Sequence, residues 1–313
     1  MGRLGEVLGA PTAAIGPDAQ SPPVRSRAAV VSIASNCLLI VLKLIAGALT
    51  GSIAIITEAV HSAIDLMASI VAYVSLRKAE EPADESHNYG HEKAENVAAG
   101  IEGMLILVGA GVIVFESVKR LMDPHPLESI GIGIAVLGFS AVTNVAVSTY
   151  LSRQARRTNS AALEADAAHL RTDAMTSVGV LVGLVLVDVT GVDVFDPIVA
   201  LLVAVAIVVA GVRILSRSSR VLMDEALPPE ELEAIRVVVA GHHAPEVAGF
   251  HKLRARTAGP RSYVDLHVQF ISGTSLERAH EVSHELQAAI RELLPGADVL
   301  IHLEPGKGPA NAG

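Results

Sequence analysis

Thr57-Glu-Ala-Val-His61-Ser-Ala-Ile-Asp65-Leu-Met-Ala-Ser69 lies in an apolar run, Ile53 to Leu76, long enough to cross a bilayer as one helix. Within it an imidazole and a carboxylate stand four residues apart, a spacing that stacks both on one helix face. An ionisable side chain near mid-membrane costs several kcal/mol unless it has a partner or a task. The same spacing recurs as His169-Leu-Arg-Thr-Asp173, at the head of another long apolar run. One such histidine or aspartate could simply bond a neighbouring helix. Two identically spaced pairs, His61/Asp65 and His169/Asp173, instead supply two nitrogens and two carboxylate oxygens, a four-ligand set of the kind zinc prefers.

Composition agrees with a membrane chain. Of 313 residues 51% are hydrophobic and only 3% aromatic, too apolar for an ordinary soluble protein. A formal charge of −9 without a basic stripe argues against a nucleic-acid partner. The single cysteine, Cys37, lies in the first apolar run and reads as packing, so neither a disulfide framework nor a thiolate site is expected. The first apolar segment is longer than the core of a cleavable signal. Residues 1–24, rich in Gly, Ala and Pro, read as a disordered tail.

Six spans are expected, at Ala28–Leu49, Ile53–Leu76, Val97–Val118, Ile130–Leu151, Ala165–Val189 and Val194–Leu215. Thr50-Gly51-Ser52 reads as a tight turn between the first two. Arg25, Arg27, Arg77, Lys78, Lys93, Arg153, Arg156, Arg157, Arg213, Arg217 and Arg220 fall on one side of that topology. Lys119 and Arg120 on the other side are offset by acidic residues, so both termini are expected in the cytoplasm. Lys43 is expected to snorkel to the outer interface. His61 and Asp65 come near the midplane, and His169 and Asp173 reach a similar depth. The two pairs can therefore face one another. Glu58 and Glu102, also in spans, suit either an ion relay or a bond to a neighbouring helix.

Pro228 to Glu304 is charged and amphipathic and reads as a small soluble α/β domain. Pro228-Pro229 opens a helix to about His242. Val247–Thr257 and Ser262–Ile271 read as strands around the Gly259-Pro260 turn, with His267 on the polar face. Apolar residues at 276, 279, 282, 286, 290 and 293 predict a helix over Ser275–Leu294, followed by a strand at Asp298–Glu304. His242, His243 and His284 read as surface residues, His125 as an outer-loop residue, and residues 305–313 as a tail.

These features together resemble the cation diffusion facilitator family of metal/proton antiporters, over about Arg25 to Pro305. Further motifs carry the likeness. Asp84-Glu-Ser-His87-Asn-Tyr-Gly-His91-Glu-Lys93-Ala-Glu95 is similar to the family's Asp-x-x-His-x-x-x-His-x-Lys-x-Glu segment, and Leu222-Met223-Asp224-Glu-Ala-Leu-Pro to another signature. The resemblance implies an all-α six-span transmembrane bundle (residues 25–221) with a C-terminal cytoplasmic α/β domain (residues 222–304), αββαβ and metallochaperone-like. It implies a homodimer in the cell membrane, exporting a divalent metal against protons, and no enzyme. It makes His61, Asp65, His169 and Asp173 the transport site and Asp84, His87 and His91 a loop site. A cytoplasmic metal group follows at His251, His267, His280, His302 and Glu304, where aspartate is usual at the last position. Lys93 and Asp224 are implied as an ion pair between the two domains, partly buried among residues such as Leu222 and Leu227.

Zn2+ is the expected substrate and regulatory ion, with Fe(II), Mn, Co and Ni as alternatives that also accept His/Asp ligands. A metal-dependent membrane enzyme is the rival class. The Asp-Gly-x-x-Ala-Arg element of CDP-alcohol phosphotransferases is missing from the sequence. A passive channel is disfavoured, because four ligands hold an ion too tightly for fast conduction.

Overall fold

The computed structural model describes residues 22–50, 53–122, 131–192 and 194–306. The expectations for residues 1–21, Gly51-Ser52, His125 and 307–313 lie outside the described residues, as do the side chains of Glu58 and His61. Six long helices come first: α1 (Pro22–Thr50), α2 (Ile53–Ala79), α3 (Ala94–Met122), α4 (Gly131–Thr158), α5 (Ala161–Thr190) and α6 (Phe195–Leu222). Among the described residues four segments are long and apolar enough to cross a membrane, by length and composition. They are Val24–Leu49, Ala94–Met122, Ala161–Val187 and Phe195–Leu222.

The helices overrun the apolar windows at both ends. Helix α1 starts at Pro22, inside the stretch read as a tail. Proline suits the first helical turn, where its missing N–H removes nothing and its fixed φ already fits. At their other ends α2, α4 and α6 continue into the basic residues Arg77 and Lys78, Arg156 and Arg157, and Arg220, which favour helix C-termini. Helix α5 is bounded by Ser160, whose Oγ accepts from the Leu163 N–H at 3.3 Å, and by Gly191 at φ 69°.

Helices α1, α2, α4 and α5 pack as one group, α3 lies along α6, and α5 touches both sets. Close approach of α3 and α6 depends on missing side chains: a Cβ at Gly211 would meet Leu107 at 2.9 Å. The second domain is α7 (Pro229–Gly241), β1 (Val247–Ala258), β2 (Arg261–Phe270), α8 (Leu276–Leu293) and β3 (Asp298–Pro305). Its sheet has the order β1-β2-β3, with β1/β2 antiparallel and β2/β3 parallel. A parallel pair needs a crossover, and α8 supplies it. Ile235, Val239, Val264, Leu266, Val268, Val282, Leu286 and Ile290 form the core between sheet and helices.

Candidate metal centre

Helices α2 and α5 bring Asp65 together with His169 and Asp173. His169 Nε2 lies 3.2 Å from Asp65 Oδ1 and 3.8 Å from Asp173 Oδ2. One ligand atom from each of these three residues falls within 4.8 Å of the other two. Asp65 and His169 are 5% and 7% exposed, so a charge arriving here meets little water. His61 lies one helical turn before Asp65 on α2.

A cavity of about 350 Å³ ends on this group. Its walls on α5 run from His169 to Val180, and on α3 from Leu105 to Ile113, away from the soluble domain. Asn36, Ser140, Asn144 and Thr176 make its floor polar. Lys43 also lines it, which corrects the expectation that this residue snorkels outward. It is 3% exposed and its Nζ donates to Ser62 Oγ at 2.7 Å. A buried hydroxyl on the facing helix gives the ammonium a partner without a path to the headgroups.

On the other side of the group the bundle is shut. Ser32 and Ser69 are within hydrogen-bond reach of each other, and both donate to Asp166 Oδ1, at 3.1 and 3.2 Å. Beyond that knot Leu76, Leu151, Leu163 and Leu170 pack without exposure. Buried Glu95, at the head of α3, then receives Arg25 Nη1 at 3.0 Å and the Ser160 hydroxyl, tying three helix starts together. Glu102 is fully buried and neither oxygen has a hydrogen-bond partner among the described residues. An unpartnered buried carboxylate is costly, so the neutral isostere Glu102→Gln is expected to hold or raise the thermal unfolding midpoint. A lower midpoint in that variant would show that the acid makes a needed bond.

Between α2 and α3 the loop residues Asp84, His87 and His91 also converge. Asp84 Oδ2 is 3.3 Å from His91 Nε2, and Asp84 Oδ1 is 3.3 Å from His87 Nδ1. The Ser86 hydroxyl and the His87 backbone N–H donate to Asp84 and hold its carboxyl well below the usual range.

In the soluble domain strand register does what sequence spacing could not. His251 pairs with His267 across β1/β2, and His267 with His302 across β2/β3, so three imidazoles stand in a row on one sheet face. Glu304 reaches two of them: Oε2 is 2.7 Å from His251 Nε2 and Oε1 is 2.6 Å from His267 Nδ1. Those contacts, His267 first, pull its carboxyl down to about 2. The longer side chain of Glu304 thus spans the row. His302 stands at its edge, 3.9 Å from Glu304. His280 does not join: it stands on α8 beside His284.

Lys93 Nζ donates to Asp224 Oδ1 at 2.7 Å. The pair is 33% and 46% exposed, not shielded by apolar neighbours: Leu227 is buried, but Leu222 is itself 38% exposed. Sequence reasoning missed the third member, Arg256, whose Nη1 donates to the same oxygen at 2.7 Å. Its guanidinium lies 5.5 Å from the Tyr89 ring centre and 5.1 Å from that of Tyr263. No short-range spacing announces a residue whose partners are brought in by the fold.

Comparison with known proteins agrees with this anatomy. Residues 29–223 match the cation efflux transmembrane domain, and residues 227–306 match the cytoplasmic domain of cation efflux proteins. The chain is 38% identical to the uncharacterized transporter sll1263 of Synechocystis sp. over 90% of both chains. It is 33% identical to the cation-efflux pump FieF of Klebsiella pneumoniae, over 90% of this chain and 92% of that one. A solved chain of CzrB in its Zn form is 38% identical, covering 26% of this chain and 93% of that one at a TM-score of 0.26. The chain belongs to the cation diffusion facilitator family, which consists of cation efflux transporters of the membrane and not of enzymes.

Proposed function

We propose that the chain exports a divalent transition metal, with zinc as its main substrate, from the cytoplasm in exchange for protons. The carrying observation is His169 Nε2 held between Asp65 and Asp173 at the blind end of a cavity. With His61, one helical turn before Asp65, as the fourth ligand, the set becomes two nitrogens and two carboxylate oxygens, which suits tetrahedral zinc. Iron(II), manganese, cobalt and nickel accept the same donors and are the alternative substrates.

In this reading α1–α6 all cross the cell membrane, residues 25–221 form the transport unit, and 222–304 hang in the cytoplasm with both termini. The cavity then faces outward, while the Ser32–Ser69–Asp166 knot and the leucines beside it close the inner side. Alternating access would open that side and shut the cavity around a fixed site. Asp84, His87 and His91 hold a second ion, and His251, His267, His302 and Glu304 a regulatory one that stiffens a homodimer.

Neutral imidazole and ionised carboxylate take metal, and their protonated forms do not. A site imidazole that takes the ion therefore gives up its proton, and one that regains a proton releases the ion. In proteoliposomes zinc flux should fall as pH on the loading side drops from about 7.5 to about 5.5, with protons moving the opposite way. A flux indifferent to pH would sink the antiport, and a metal panel in the same vesicles ranks the substrates.

A further inference from the structure

Lys43 brings an ammonium into the interior of the bundle, 3% exposed, at the cavity that ends on Asp65, His169 and Asp173. Helix pairing fixes its height there. Ser32 and Asn36 of α1 meet Ser69 of α2, with Asn36 Nδ2 donating to Ser69 Oγ at 2.9 Å. Two turns further along α1, Lys43 Nζ donates to Ser62 Oγ at 2.7 Å, so the two helices run antiparallel. Asp65 lies between Ser69 and Ser62 on α2. Three residues at about 1.5 Å each put the ammonium close to one helical turn beyond Asp65. The shut side, with Ser32, Ser69 and Asp166, lies the opposite way. An ion leaving the group through the cavity therefore passes this charge.

We propose that Lys43 sets the affinity of the transport site and drives release, its fixed positive charge repelling the bound divalent ion and pushing it out along the cavity. This role rests on the export reading of Asp65, His169 and Asp173 given above. Side chains three apart on a helix face stand about 5–6 Å apart at Cβ, so an ammonium bonded to Ser62 comes within roughly 10 Å of an ion at Asp65. Repulsion scales with the product of the charges and falls only as the inverse of distance. A divalent ion thus feels twice what a proton at the same place would feel. Across a protein wall the repulsion lowers zinc affinity by about tenfold or more. Asn36 makes the equivalent bond to Ser69 with a neutral amide, so tying α1 to α2 does not itself require a charge.

The wall on α4 completes the exit. Ser140 and Asn144 are 3% and 7% exposed and line the same cavity. Ser140 Oγ and Asn144 Oδ1 have no hydrogen-bond partner among the described residues. Buried acceptors of this kind are satisfied by water. The departing ion regains there, beside the lysine that repels it, the hydration that its ligands had replaced.

The test is zinc transport by the full chain in proteoliposomes. Wild type is compared with Lys43→Gln and Lys43→Met, which remove the charge, and with Lys43→Arg, which keeps it. Both neutral variants are expected to bind more tightly and turn over more slowly: KM for zinc falls about tenfold and maximal flux falls with it. Lys43→Arg should keep KM near that of wild type. A mere tie between helices gives a different pattern, with a lower thermal midpoint and lower flux but KM unchanged or raised. KM that does not fall in the neutral variants, that falls without loss of flux, or that falls equally in Lys43→Arg overturns the proposal. Loss of the fold in both neutral variants while Lys43→Arg keeps it overturns it too, since Lys43 is then structural. Asp65→Ala, run alongside, judges the export reading by itself: normal zinc flux there ends that reading, whatever KM the lysine variants show.

Discussion

Asp65→Ala and Asp173→Ala should each abolish zinc transport while leaving a folded, inserted protein. Each carboxylate stands beside His169 Nε2, at 3.2 and 3.8 Å, and the cavity beside them can bring only neutral water in place of a lost anion. Altering a group that merely supports a metal ligand costs about 10–100-fold in affinity. Removing a charged ligand outright should exceed that, so flux should fall by more than about 100-fold. Asp65→Asn separates shape from charge: it keeps the volume, loses the anion, and should be nearly as inactive. Stability should move little: His169 Nε2 stands between the two carboxylates and offsets their mutual repulsion, so removing one loses a partner as well as a like charge. The readouts are zinc flux in proteoliposomes and the thermal midpoint of the same preparations. Near-normal flux in Asp65→Ala or Asp173→Ala would end the assignment.

The parts of this molecule visible from sequence were those whose period is local. The His-x-x-x-Asp pairs needed only helical geometry, and α7, β1, β2, α8 and β3 began and ended within about a residue or two of their expected limits. What could not be read was facing. Hydropathy gives the depth of Lys43 but not the side of α1 it occupies, and that side points at Ser62. Register was equally hidden. His251 meets His267 because β1 carries an irregularity between His251 and Arg254, with Lys252 at φ 52°, and strand alternation alone does not locate it. His280 stands on α8, where its ring meets His284 one turn on, and residue type alone does not show that placement. The Ser32–Ser69–Asp166 knot joins three helices through hydroxyls that look like ordinary small packing residues in the sequence.

Asp224→Asn should loosen the joint between membrane and soluble domains more than Lys93→Ala does. Asp224 sits where α6 ends, in the left-handed region at φ 59°, a conformation that aspartate and asparagine tolerate better than most residues. The amide therefore keeps the backbone and removes the charge. One oxygen, Oδ1, receives both Lys93 from the head of α3 and Arg256 from β1. Tyr263 on β2 joins the same node, donating its hydroxyl to Tyr89 O at 2.9 Å beneath the Arg256 guanidinium. An exposed ion pair is worth under about 1 kcal/mol and is screened by salt. Losing Lys93 removes one such pair, whereas losing the Asp224 charge removes both and leaves two cations side by side. The carboxyl is held below its ordinary value of 3.8 by Lys93 first and Arg256 next. Its contribution is accordingly complete at neutral pH and disappears as pH falls below about 4. Arg256 also decides how charge reversal behaves. Exchanging the pair (Lys93→Asp with Asp224→Lys) sets the new lysine against the guanidinium, so it should rescue little. Adding Arg256→Gln to that exchange removes the clash and should restore much of the midpoint and the zinc flux. If the plain exchange recovers both without the third change, Arg256 is a bystander and the joint is a simple pair.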